Sequence, residues 1–186
     1  MDTNTLAGLQ TAFARCCQVG HDTNKEHFCL LGLEGQLLAE KTGEEDHVDL
    51  VGFFNEQSKY GVHNHNKPYP ISLPDIMCAT VSQNVMYVVT LNGDKYWSSG
   101  IDLDLSNFIG SLHALALEEK AIAMQESGIR QLQQTYPGMT EDTATQITVH
   151  FFNLALQKSY YRLDYHFELT PETEALYRKL EPLFRG

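Results

Sequence analysis

The chain has 186 residues, 42% of them hydrophobic and 20% charged, which suits one soluble globular domain, or one domain with a helical appendage. Its formal net charge of -11, with 13 basic residues scattered along the chain, argues against nucleic-acid or anionic-membrane partners, because phosphate binding needs clustered Lys and Arg. Cys16, Cys17, Cys29 and Cys78 have no CxxC or zinc-ribbon spacing and read as reduced, partly buried thiols. The N-terminal residues lack a secretion signal, and no apolar run approaches the ~20 residues of a membrane span, so a cytoplasmic protein is expected.

Residues 5–18 carry Leu6, Leu9 and Phe13 at helical spacing. A polar turn over 20–25 precedes the apolar run His27–Leu33, which reads as a buried strand. Glu34-Gly35 predicts a hairpin turn, with 36–40 the returning strand. A charged loop over 41–47 leads to a short helix expected at Val48–Asn55. Tyr60–His65 reads as a strand running into a loop over Asn66–Ile71. Ser72-Leu73-Pro74-Asp75 then opens a helix ending near Ser82. Val85–Thr90 and Asp94–Ser98 are strands joined by an Asn92-Gly93 turn.

The character changes after Gly100. Leu105–Glu126 predicts a long helix with Phe108, Ile109, Leu112, Leu115 and Ile122 on its apolar side. Pro137-Gly138 breaks the pattern, and a second helix is expected from Thr140 or Glu141 to about Tyr160. Leu163–Leu169 reads as a short strand. Thr170-Pro171 opens a last helix reaching about Leu180. The fold class expected is α/β, a mixed sheet flanked by helices, with residues 1–100 as one unit and a mostly helical region over 101–186 packed on it.

The chemistry concentrates at His63-Asn64-His65. Residues two apart on a strand share a face, so both imidazoles can converge on one metal ion. A hydrolytic zinc takes three protein ligands and a water. Pro68 and Pro70 restrict the short loop that follows, and a helix starting at Ser72 would turn Asp75 back toward the strand end. His63, His65 and Asp75 are therefore the expected zinc ligands. Ser72-x-x-Asp75 is also a capping-box pattern and could serve only that end. The three consecutive letters His-Asn-His are not the dispersed pattern of an HNH nuclease.

The segment Gly61–Ile76 resembles the JAMM motif of JAB/MPN-like metallopeptidases: His-x-His-Pro, a spacer, then Ser-x-x-Asp. It is most similar to the bacterial RadC-like and phage JAB-like branches. Asn66 stands where the motif has Pro, and the spacer to Ser72 is one residue shorter. The resemblance covers roughly residues 25–99. It implies a JAB/MPN-like fold of cytidine-deaminase-like architecture, a zinc cofactor on His63, His65 and Asp75, and hydrolysis of a peptide or isopeptide bond. It further implies that Ser72 holds the polarised carbonyl oxygen and that a Glu on an early strand is the general base. Glu26, ahead of His27–Gly32, fits that place, with Glu34 and Glu40 as rivals. The implied partner is a protein or peptide substrate, ubiquitin-like conjugates among the options, with homo-oligomers open. The rival expectation is a non-catalytic interaction module of the same fold, and a phage-related role is a third.

Among other residues, His113, His150 and His166 read as core or boundary histidines. Tyr96 and Trp97 read as sheet packing that could also line a substrate groove. Glu118-Glu119 reads as a solvated helix face.

Overall fold

A computed structural model describes residues 2–102, 108–159 and 161–184 of the chain, and the side chains only outside 103–112. The expected helix start at Leu105, the side chains of Phe108, Ile109 and Leu112, and the expected helix end at Tyr160 lie outside the described residues.

Helix α1 (Thr3–Thr23) starts where the Asp2 carboxylate accepts the Thr5 N–H, and ends at Asn24 in the left-handed conformation. Strands β1 (His27–Gly32) and β2 (Leu37–Thr42) form the expected hairpin. Next come β3 (Ser58–His65), α2 (Leu73–Ser82), β4 (Val85–Thr90) and β5 (Lys95–Gly100). Helices α3 (Phe108–Thr135) and α4 (Glu141–Gln157) precede β6 (Asp164–Glu168) and α5 (Pro171–Leu180), with a last 3₁₀ turn at Glu181–Phe184.

The six strands make one mixed sheet in the order β2-β1-β3-β4-β5-β6. Only β3 and β4 run parallel, and α2 is their crossover; every other pair is antiparallel. The period-2 alternation sorts side chains cleanly. Phe28, Leu30, Met86, Val88, Tyr96 and Tyr165 face a core shared with Ile76 and Ala79 of α2, Leu117 of α3 and Leu156 of α4. Cys29, Leu31, Val62, Tyr87 and Val89 face Leu9, Ala12 and Cys16 of α1. The architecture is thus α/β, a mixed sheet flanked by helices. The region after residue 100 gives the sheet its β6 edge strand and also builds a cluster of its own around Leu132, Ile147, Phe151 and Tyr177.

Four local expectations need correction. Residues 48–55 are irregular rather than helical, because Gly52 sits at φ +69° and the Asp49 carboxylate captures the Val51 N–H. Val48, Leu50, Phe53 and Phe54 nevertheless pack on the main core. In α3, Leu115 and Ile122 point outward, while Leu117, Ala121 and Leu132 are buried. His113 is exposed on α3. His166 is also exposed, stacked on Trp97 across the α1 side of the sheet and paired with Asp164 at 2.7 Å. His150 is a core histidine, 2% exposed and stacked on Tyr177.

Candidate metal centre

The site lies where β3 ends and α2 begins. His63 and His65 share the face that carries Phe28, and Phe28 is the β1 residue paired with His63. Its ring stacks near the His63 imidazole, with centroids 6.2 Å apart. Gly61 makes room for that ring: a Cβ there would lie 2.7 Å from Phe28 and 2.6 Å from the Met86 sulfur. Asn64 points to the α1 side, where its Oδ1 accepts the His27 N–H at 2.8 Å. Its Nδ2 donates to the Asn66 side chain at 2.8 Å, and Asn66 in turn donates to the Glu45 carbonyl. A proline at 66 could make neither side-chain bond.

The loop returns tightly. His65 Nδ1 donates to the Tyr69 carbonyl at 2.9 Å, which leaves Nε2 of the neutral ring as the lone-pair nitrogen. Ser72 caps α2 in a full capping box with Asp75. Its hydroxyl and its N–H both donate to Asp75 Oδ2, at 2.6 and 2.9 Å. The cap and the ligand-positioning role therefore reside in the same contacts.

Three donor atoms converge. His63 Nε2 is 3.2 Å from His65 Nε2 and 3.3 Å from Asp75 Oδ1, and His65 Nε2 is 3.5 Å from Asp75 Oδ2. Zinc bonds of roughly 2.0–2.1 Å at the tetrahedral angle place ligand atoms about 3.3 Å apart. Two imidazole nitrogens facing each other at 3.2 Å need a shared cation or a proton between them. Ligand identity, spacing and the hydrogen-bonded outer partners Tyr69 and Ser72 all fit a divalent metal.

In the metal-free site the electrostatics favour a protonated His65 beside an ionised Asp75, so a bound metal would displace that proton. Burial alone would raise the Asp75 carboxyl, but His63 and His65 outweigh it and hold the group well below the usual carboxylate range. Burial would lower His65, yet Asp75 and then Glu26 raise it to about 9. Burial pushes Glu26 upward against the opposing pull of His65 and His63.

Glu26, His63, His65, Ser72 and Asp75 line one cavity of about 900 Å³. Of the three early glutamates weighed, Glu26 alone lines it; Glu34 is exposed in the β1–β2 turn, and Glu40 lies on the α1 side with Arg15 and His27. Sequence reasoning missed the other walls. Glu44, Glu45, Asp46 and His47 of the loop after β2, Gln125 of α3, and Thr145 and Val149 of α4 also line the cavity. It also missed the clamp on the loop, where Asp142 of α4 accepts the Tyr69 hydroxyl at 2.6 Å and pairs with Lys67 at 3.3 Å. No local signal links residue 142 to residue 69. Trp97 packs between Tyr87 and His166, away from the cavity.

No protein-family model, curated protein or solved structure matches the chain. Among the described residues, no helix is long and apolar enough to cross a membrane.

Proposed function

We propose that this chain is a zinc-dependent hydrolase of amide bonds, peptide or isopeptide, with a JAB/MPN-like fold. His63, His65 and Asp75 would hold the zinc, and Glu26 would be the general base. The observation that carries the reading is the spacing of the three donor atoms, 3.2–3.5 Å, in the same cavity as buried Glu26. Bound zinc supplies a Lewis acid that acidifies water and polarises a carbonyl.

The chain's own residues divide the remaining work. Glu26 takes the proton of the attacking water and returns it to the leaving amine. Its burial suits this exchange, because a carboxyl raised above its ordinary value releases a proton more reluctantly and accepts one more readily. Ser72 holds Asp75 by two hydrogen bonds; donating to the carbonyl oxygen as charge develops there would require its single hydroxyl hydrogen to swing away from Asp75 Oδ2, which the Ser72 N–H would then hold alone. Loop 44–47 and Thr145 and Val149 of α4 line the cleft and would contact the substrate chain.

The experiment is zinc content by elemental analysis, on the wild type and on His63→Ala/His65→Ala. It is followed by cleavage of peptide and isopeptide substrates with Glu26→Gln as control. Zinc bound by the wild type through these histidines, with cleavage lost in Glu26→Gln, supports the proposal. A wild type that takes up no zinc on reconstitution removes it and leaves a JAB-like interaction module.

A further inference from the structure

Behind β1, on the face turned away from the His63 centre, a second set of ligand-type side chains converges. His27 and Cys29 are two residues apart on β1, and Glu40 is the β2 partner of Cys29. One donor atom from each of the three lies within 4.8 Å of the other two. His27 Nε2 is 3.1 Å from Glu40 Oε2, and Cys16 of α1 places its Sγ 3.8 Å from Cys29 Sγ. We propose that His27, Cys29 and Glu40 form a second zinc site that ties the two strands of the β1–β2 hairpin together.

The distances fit that reading. Nitrogen and oxygen ligands on a tetrahedral zinc sit about 3.3 Å apart, close to the 3.1 Å between His27 Nε2 and Glu40 Oε2. The outer partners are in place as well. The Thr42 hydroxyl lies 2.9 Å from His27 Nδ1 and fixes the ring; a metal at Nε2 requires the tautomer in which Nδ1 donates to that hydroxyl. Arg15 holds the Glu40 carboxylate at 3.3 Å.

His27, Cys16 and Cys29 are buried, whereas the Glu40 side chain reaches solvent. A cavity of about 230 Å³ between α1 and the hairpin reaches Cys29 but is not lined by His27 or Glu40. A sulfur, an imidazole and a carboxylate favour zinc over magnesium or calcium, whose ligands are oxygens.

This site shares no ligand with His63, His65 and Asp75, so the two can be tested apart. Cys78 lines the first cavity and Cys17 lies beside Cys16, so both are removed first. The test loads cobalt(II) into the reduced full chain carrying Cys17→Ser/Cys78→Ser and reads the near-ultraviolet thiolate-to-cobalt absorption. The proposal expects that band in this background, its loss on adding Cys29→Ser, and its persistence on adding His63→Ala/His65→Ala. Zinc content should fall from about two per chain to about one with either change. A folded background chain that takes up cobalt without a thiolate band overturns the proposal. So does a band that survives Cys29→Ser. Loss of metal at His63 alone would count against the proposed hydrolase and leave the thiolate band in place.

Discussion

The Tyr69 carbonyl accepts the Nδ1 proton of His65, and the Tyr69 hydroxyl donates to Asp142 of α4. One loop residue therefore fixes the tautomer of a metal-site histidine and ties that loop to a helix more than seventy residues away. Asp142→Ala should free the loop while leaving all three ligands intact. Zinc affinity, measured by chelator competition, should fall, but by less than the roughly 10–100-fold cost of losing a direct partner of a ligand. Unchanged affinity would show that the clamp has no bearing on the metal site.

Ser72 combines two roles that a single substitution removes together. Ser72→Ala should cost about 1 kcal/mol of helix-cap stability, read from urea melts of the zinc-free protein. It should also weaken zinc binding by about 10–100-fold, because Asp75 Oδ2 loses its 2.6 Å hydroxyl partner. Ser72→Thr, which keeps the hydroxyl, should restore most of both. A Ser72→Ala protein with normal zinc affinity would reduce Ser72 to a cap.

Glu26 should show a trade between stability and activity. Burial raises its folded-state value, so the folded chain binds this proton more tightly than the unfolded chain does. The charged form is then a burden that appears as pH rises through the ordinary glutamate value of about 4.3. Zinc-free Glu26→Gln should melt above zinc-free wild type at pH 7, and the gap should close below about pH 4. With zinc bound, the same variant should lose about 10²–10⁴-fold in turnover while keeping its metal. A variant that melts no higher, or that still turns over, would point away from Glu26.

His150 gives a separate pH dependence, far from the metal ligands in sequence. Burial lowers it to about 3, against an unfolded value near 6.5. Between those limits the unfolded chain binds the proton and the folded chain does not. Stability held by the neutral ring is complete above about pH 6.5 and declines as pH falls, by up to about 1.4 kcal/mol per pH unit. His150→Phe keeps a ring against Tyr177 and removes the titration. Urea midpoints between pH 7 and pH 4 should fall less steeply in His150→Phe than in wild type. Parallel slopes would mean that His150 is not the group responsible.

The legible part of this protein was written in short-range pattern. Strand alternation puts His63 and His65 on one face, and Ser72-Leu73-Pro74-Asp75 encodes its own cap, so the candidate ligand trio could be named from 13 consecutive residues, His63–Asp75. The strands of the first hundred residues follow from apolar runs and turn residues in the same way. The short strand β6 was also readable, but not the edge that it would join. Periodicity within α3 could not choose between its two apolar sides, because that choice depends on what packs against the helix. The irregular 48–55 segment yielded to one left-handed glycine and one side-chain-to-backbone bond. The Asp142 clamp, the cavity wall from α4 and the meeting of Cys16 with the His27-Cys29-Glu40 set needed the assembled fold. A sequence sets which side chains share a face over a few residues; only packing of the whole sheet and its helices decides which distant faces meet.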